Sequence, residues 1–230
     1  MDTIVTTSVG ATGLTEIVGM SYSTGSNGAP VAGGITPDEK YLFVINQDAQ
    51  NIVQFLVNKN TGSLTPNGTV SAIPSSGTTN SNPGPTMIRT SPDGRFVYVT
   101  NAKYNQVLQY KIGFDGKLTL IGSVSTGSNP LDLFVSPTGK FAYVVNQGSN
   151  TVSQYSIGSN GALTSLGTVG TGTRPVFMSV SYNGKYAYIS NLGSKDISQY
   201  SIGADGTLTP LSPATATVPL GAAPGAILVH

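Results

Sequence analysis

Four polar residues occupy comparable positions around proline-led segments of the sequence. Asn129 and Arg174 each precede a proline, Asp132 is the second residue after a proline, and Arg89 is the fourth after another. A guanidinium and a carboxylate that converge on a polar space can bind a carboxylate or a sugar. The alternative is that Arg89 and Asp132 neutralise each other or bind water. Both interpretations require elements that bring these segments side by side.

Other familiar reaction chemistries lack their residues. The chain has no Cys, and its single histidine is His230, so thiolate chemistry, Cys-based metal sites and an internal Ser-His-Asp triad are excluded. Asp93, Asp115 and Asp205 precede or lie beside glycines in turn-like segments, which indicates turn formation and not metal ligation. We therefore predict no metal and no cofactor.

The composition limits the partners. Charged residues make up 9% of the 230 residues, and the net charge is +1, so no long-range field favours nucleic acid or an anionic membrane. A surface rich in Ser, Thr, Asn and Gly favours an extracellular or cell-surface location, although the first residues lack the basic and apolar regions of a signal peptide. We expect a protein or a carbohydrate as ligand and no membrane insertion.

The sequence repeats one unit four times. The copies begin at Thr36, Ser91, Ser136 and Ser181, as in SPDGRFVYVTNAKYNQVLQYKIGFDGKLT and SPTGKFAYVVNQGSNTVSQYSIGSNGALT. The two later spacings are equal, and a polar insertion at 75–84 explains the longer first one. A repeat of roughly 40–50 residues is typical of propellers and other repeat folds.

Each unit predicts four antiparallel strands, A to D. In the third unit these strands are PLDLFV, FAYVV, TVSQYSI and ALTSLGTV, and apolar residues alternate along them. Asp-Gly and Asn-Gly pairs separate the strands and favour tight turns. Such sheets bury both faces only when neighbouring units cover them, so we predict an all-β fold, a β-propeller of four-stranded antiparallel blades. A straight solenoid is the alternative.

The ends of the chain predict a fifth, composite blade. TIVTTSV and GLT near the start align with strands C and D, and PGAILVH at the end aligns with strand A. In the alternative, the chain is part of a larger ring. Either self-association with another copy or further sequence would then complete that ring. The predicted single domain thus has blades at 30–73, 85–125, 130–169 and 175–218, with a composite blade from 224–230 and 3–20.

Two other residue types recur in every full unit. An asparagine closes each strand B, and we interpret it as a cap of the following turn and not as a ring of ligand-binding amides: Asn46, Asn101, Asn146 and Asn191. An aromatic residue recurs in strand C, and we interpret it as core packing with a solvated hydroxyl and not as a sugar platform: Phe55, Tyr110, Tyr155 and Tyr200.

The strand B segments FVYVTN, FAYVVN and YAYISN, preceded by SPDG-like turns, resemble the YVTN repeat of the lactonase-type β-propellers. That group includes 6-phosphogluconolactonases and fungal muconate-lactonizing enzymes. The resemblance implies seven blades and polar residues, including His, Arg and Glu, at the mouth of a central channel. The few residues of these types here form no matching internal set, so no catalytic residue is carried over: His230, Arg89, Arg95, Arg174, Glu16 and Glu39.

Three functions remain from the sequence. The main hypothesis is a non-catalytic propeller that presents loops around a channel to a protein or carbohydrate, with Arg89, Asn129, Asp132 and Arg174 at the channel mouth. The second is a lactonase-type hydrolase that acts on a sugar lactone. The third is a repeat fragment or an engineered propeller without a ligand of its own. The fold alone does not choose between them.

Overall fold

The computed structural model describes residues 3–10, 13–23, 29–74 and 80–217, with side-chain environments from residue 29 onward. The described chain consists of strands and turns, and none of it forms a helix long and apolar enough to cross a membrane. The strands are β1 Thr3–Gly10, β2 Gly13–Ser23, β3 Pro30–Ile35, β4 Tyr41–Asn46, β5 Asn51–Val57, β6 Leu64–Ser71, β7 Pro85–Thr90, β8 Phe96–Asn101, β9 Gln106–Ile112, β10 Leu118–Ser125, β11 Pro130–Val135, β12 Phe141–Asn146, β13 Thr151–Ile157, β14 Leu163–Gly170, β15 Pro175–Val180, β16 Tyr186–Asn191, β17 Asp196–Ile202 and β18 Leu208–Thr217.

Sixteen of these strands form four sheets, and each sheet has four strands in chain order. We call them blade 1 (β3–β6), blade 2 (β7–β10), blade 3 (β11–β14) and blade 4 (β15–β18). All neighbouring strands pair antiparallel, as in the β12–β13 ladder that joins Phe141 to Ser156 and Asn146 to Thr151. The prediction of an all-β fold with four-stranded antiparallel blades is confirmed.

The start of the chain forms an antiparallel hairpin, β1–β2, in a two-stranded sheet of its own. This hairpin matches the strands C and D that the sequence predicts there. The strand predicted at 224–230 lies outside the described residues, so the composite fifth blade stays a prediction. The same holds for the predicted domain boundaries at both ends.

The core lies between blades. Each of three buried clusters takes side chains from two neighbouring sheets, for example Phe43 of blade 1 with Ile88 of blade 2, and Tyr98 of blade 2 with Leu133 of blade 3. The third cluster joins Tyr143 of blade 3 to Ile189 of blade 4. A small sheet with two apolar faces gains its stability from these contacts, because they remove both faces from water.

A glutamine in strand C ties each blade to the next. Its Oε1 atom accepts the backbone N–H of the leucine that begins strand D of the following blade, in the pairs Gln54–Leu118 at 2.6 Å, Gln109–Leu163 at 2.9 Å and Gln154–Leu208 at 2.6 Å. These glutamines are buried. The bond satisfies a backbone donor that would otherwise be buried without a partner.

The strand C aromatics are core residues, but the prediction of solvated hydroxyls is wrong. The hydroxyls of Tyr110 and Tyr155 donate to the carbonyls of Ser71 and Ser125, each over 2.6 Å, in the last strand of the preceding blade. The Tyr200 hydroxyl donates to the carbonyl of Gly170 in the same way. Burial raises the pKa of Tyr155 to about 12, which keeps the donor protonated.

The asparagines that close strand B are buried, and the side-chain hydrogen bonds of three of them differ between blades. Asn101 Oδ1 accepts the backbone N–H of Lys103 at 3.1 Å. Asn146 and Asn191 instead donate from Nδ2 to strand C side chains, including the Ser153 hydroxyl at 2.9 Å. These bonds fasten strand B to strand C within a blade.

Candidate active site on the innermost strands

The candidate site rests on the innermost strands, which neighbour one another in the order β3, β7, β11, β15. Each begins at a proline, which fixes φ at the entry to the strand. The second residue after that proline differs in every blade: Ala32, Met87, Asp132 and Phe177. The fourth also differs: Gly34, Arg89, Phe134 and Ser179. Charged side chains at these positions therefore belong to blades 2 and 3.

Arg89 and Asp132 meet across the boundary between blades 2 and 3. Arg89 Nη2 lies 3.4 Å from Asp132 Oδ1. The two predicted site residues are thus neighbours, and the pairing that the sequence offered as the alternative to ligand binding is present. The pair is asymmetric, because the Arg89 side chain is 41% exposed and the Asp132 side chain only 5%.

Asp132 holds three innermost strands together. Its Oδ1 atom also accepts the Leu133 N–H at 2.9 Å, and its Oδ2 atom accepts the N–H of Met178 in β15 at 3.0 Å. Burial raises the pKa of the Asp132 carboxyl above its ordinary value, whereas the Met178 bond, the Arg89 charge and the Leu133 bond oppose that rise. Both oxygens are occupied, so this carboxylate is suited to positioning Arg89.

Arg89 keeps donor capacity for a ligand. Its Nη1 atom donates to the Ile88 carbonyl at 3.1 Å and contacts Met87 Sδ. Asp132 fixes Nη2, so the guanidinium plane is held on two sides while part of it faces solvent. A guanidinium held in this way can bind a carbonyl oxygen or an anion with little further loss of freedom.

Asn129 lies at the entry to β11, in the loop from blade 2 to blade 3. Its φ is 52°, a conformation that asparagine tolerates well. Its N–H donates to Asn105 Oδ1 at 2.9 Å, and its Nδ2 donates to Gln147 Oε1 at 3.1 Å. Its Oδ1 is buried and accepts no hydrogen bond within the described residues.

Arg174 is the counterpart of Asn129 in the loop from blade 3 to blade 4. It has the same φ of 52°, and its N–H donates to Asn150 Oδ1 at 2.8 Å. The side chain is exposed and forms no ion pair with an acid in the part of the chain that the structure describes. No described hydrogen bond joins Asn129 or Arg174 to the Arg89–Asp132 pair, so the predicted set divides into a pair on the strands and two loop residues.

The structure adds one carboxylate that the sequence reasoning missed. Asp196 begins β17 beside the 171–174 loop and accepts from Asn191 Nδ2 and from the Ser194 hydroxyl, each over 2.7 Å. The corresponding residues of the other blades are uncharged: Asn51, Gln106 and Thr151. That departure from the repeat was a usable signal, because structural positions tend to recur in every blade.

The described residues contain no cluster of three or more His, Asp or Glu side chains that could hold a metal ion. The polar groups of the candidate site are instead the Arg89–Asp132 pair on the strands and the amides, hydroxyls and Asp196 carboxylate at the loops. These groups can bind sugar hydroxyls and stabilise negative charge on oxygen.

The four antiparallel sheets, packed face to face in chain order, define a β-propeller, and the Arg89–Asp132 pair lies on two of its neighbouring innermost strands. Residues 1–180 match the family described as lactonase, seven-bladed β-propeller, and the chain belongs to that family. The 6-phosphogluconolactonase of Bacillus subtilis (strain 168) is 31% identical over 114 residues, which is 49% of this chain and 32% of that protein.

Solved structures agree on the fold. A protein from Lactobacillus plantarum superposes with a TM-score of 0.77 and 21% identity over 90% of this chain and 63% of its own. The periplasmic gluconolactonase of Pseudomonas aeruginosa superposes with a TM-score of 0.68 and 22% identity over 83% of this chain and 57% of its own. The chain thus spans about a third of the curated relative and about three fifths of these structures.

These findings overturn the main functional hypothesis from the sequence. A non-catalytic binding module was expected because no internal His–Arg–Glu set was found. That expectation is wrong, since the family and the named relatives are lactonases. The error came from requiring the residue types of the His–Arg–Glu set. The innermost strands of this chain differ from one another instead in charged residues, Arg89 and Asp132, that each occur in a single blade.

Proposed function

We propose that this protein hydrolyses a sugar lactone, with Arg89 as the group that binds the lactone carbonyl. Its membership of the lactonase propeller family supports the reaction class. The observation that supports the location is the Arg89–Asp132 pair, because it joins two blades and has no counterpart at the equivalent positions of blades 1 and 4. The names of the relatives favour gluconolactones, phosphorylated or not, as substrates.

In this reaction the oxygen of water bonds to the lactone carbonyl carbon, and the ring C–O bond breaks. The ring oxygen receives a proton from water and becomes a hydroxyl, and the acid product ionises. Negative charge develops on the carbonyl oxygen before the ring opens, and the Arg89 guanidinium would stabilise it. Asp132 would act as a positioning residue, since its two oxygens already hold Arg89, Leu133 and Met178.

The loop residue Arg174 would bind the rest of the sugar. Its exposed side chain can bind an anionic substituent such as a phosphate. Asn129 would help to hold the loop from blade 2 to blade 3, because its Oδ1 is buried and out of a ligand's reach. Both residues lie at the end of the propeller where strand A begins, so a ligand that touches Arg174 can extend inward toward Arg89.

The test is proton release from gluconolactone and its 6-phosphate, measured against the buffer rate. We expect Arg89→Ala to lower kcat/KM about a hundredfold, the usual cost of one oxyanion donor. Arg174→Ala should raise KM for the phosphorylated substrate more than for the neutral one. Lys185→Ala, which removes an exposed cation from the opposite end of blade 4, is the matched control.

Two results would refute the proposal. One is a folded wild-type protein that hydrolyses neither lactone above the buffer rate. The other is an Arg89→Ala variant with wild-type kcat/KM and an unchanged circular dichroism spectrum.

A further inference from the structure

A second candidate site lies at the opposite end of the propeller, where the A–B and C–D turns meet. Phe114, in the turn between β9 and β10, is fully exposed. Beside it runs a cleft of about 540 Å³ lined by Phe96, Ile112, Lys111 and Arg95, among others. A volume of this size is within the range of roughly 300–1,000 Å³ that holds small ligands.

Arg95 is held in place beside this cleft. Its Nε donates to Asp93 Oδ2 at 2.7 Å, and its guanidinium lies 5.1 Å from the centre of the Phe96 ring. Two further clefts, of about 400 and 220 Å³, are also lined by Arg95. A guanidinium fixed by a carboxylate and stacked on a ring keeps its outer edge for another acceptor.

The cleft has surplus positive charge. Lys111 lies directly opposite Phe96 in the β8–β9 ladder, so both side chains project from the same face of the sheet. Arg95 and Lys111 line the cleft and no acid among the described residues does, since Asp93 pairs with Arg95 and Asp115 accepts the Lys117 N–H at 3.1 Å within its own turn. Lys111 forms no ion pair within the described residues.

We propose that this cleft binds a small amphipathic anion. The flat apolar body of the ligand lies against the exposed Phe114 ring, and its anionic group lies between Lys111 and Arg95. An exposed aromatic ring loses contact with water when such a body covers it, and the two cations select the anionic group. This site is independent of the lactone site, because its residues come from the A–B and C–D turns and the adjoining strand ends of blades 2 and 3, and Arg89, Asn129, Asp132 and Arg174 are not among them.

The probe is anilinonaphthalene sulfonate, titrated by fluorescence, with N-phenylnaphthylamine as its uncharged counterpart. We expect the wild-type protein to bind the sulfonate more tightly than the uncharged dye. Phe114→Ser should raise the Kd for the sulfonate about tenfold, and Lys111→Gln should raise it about threefold while leaving the uncharged dye unaffected.

Tyr182→Ser is the matched control, because Tyr182 is 95% exposed but lines none of the three clefts around Arg95. Its Kd should equal that of the wild type. The proposal is overturned if Phe114→Ser and Tyr182→Ser change the Kd equally. It is also overturned if Lys111→Gln has no effect on the sulfonate, or if the two dyes bind the wild type equally well.

Discussion

The boundaries between blades and the innermost strands follow opposite rules. At three successive boundaries a strand C glutamine bonds the next strand D, with the same atoms and similar distances each time. Along the innermost strands the second and fourth residues after the opening proline change from blade to blade, and Arg89 and Asp132 meet at one boundary. The repeated contacts hold neighbouring sheets together, whereas the unrepeated residues are the ones to which we assign the proposed reaction.

This difference between the blade boundaries and the innermost strands is the reason that a repeated sequence obscures function. A contact that stabilises one blade interface stabilises all of them, so its residues recur through the sequence. A substrate contacts only a few blades, so its residues stand alone and are easily overlooked. Variants at recurring positions should therefore change stability, and variants at Arg89 should change activity.

The largest stability effect is expected at Gly161, in the turn between β13 and β14. Its φ is 82°, and an added Cβ would overlap the Phe96 ring of the preceding blade. We expect Gly161→Ala to lower the free energy of unfolding by about 4 kcal/mol, from backbone strain and overpacking together. Urea denaturation measures the change.

Gly167→Ala is the control for strain alone. Gly167 has a φ of 101°, but an added Cβ would meet nothing within 4 Å. We expect Gly167→Ala to lower the free energy of unfolding by about 2 kcal/mol. If both alanine variants lower the free energy of unfolding equally, the Phe96 ring does not pack closely against Gly161.

The glutamine contact gives the next largest effect. Gln109→Ala would leave the buried Leu163 N–H without its partner and should cost about 2 kcal/mol. Gln199 occupies the same position in blade 4, and within the residues whose side chains are described its hydrogen bond is a 3.5 Å contact from Nε2 to the Pro213 carbonyl. Gln199→Ala should therefore cost less than about 0.5 kcal/mol. A loss at Gln199 as large as that at Gln109 would contradict the assigned role.

The smallest effect is expected for the strand C hydroxyls. Tyr155→Phe removes one hydrogen bond to the Ser125 carbonyl and should cost about 1 kcal/mol. The ring itself fits, because blade 1 carries Phe55 at this position in a buried site. The measurement is the Tm of Tyr155→Phe, and Tyr182→Phe, which changes an exposed tyrosine, is the control. An unchanged Tm for Tyr155→Phe would argue against the hydrogen bond to the Ser125 carbonyl.

Most of the fold could be predicted from local patterns. Alternating apolar residues and Asp-Gly turns indicated the four strands of each unit, since a strand has a period of two and these turns need positive φ. The candidate site was predicted only in part. Proline spacing identified Arg89 and Asp132, but Asp196 was missed, although it stands where the other blades carry uncharged residues and its bonds to Asn191 and Ser194 lie within one turn.

The sequence by itself determined the blades, since strand periodicity and turn chemistry act between near neighbours in the chain. It also marked which inner positions break the repeat. Only the tertiary structure decided that Asp132 is buried and bridges three strands, that the strand C hydroxyls reach the preceding blade, and that part of Arg89 stays open to solvent. Those outcomes depend on groups far apart in the chain, and their burial and pairing exist only after the sheets have packed.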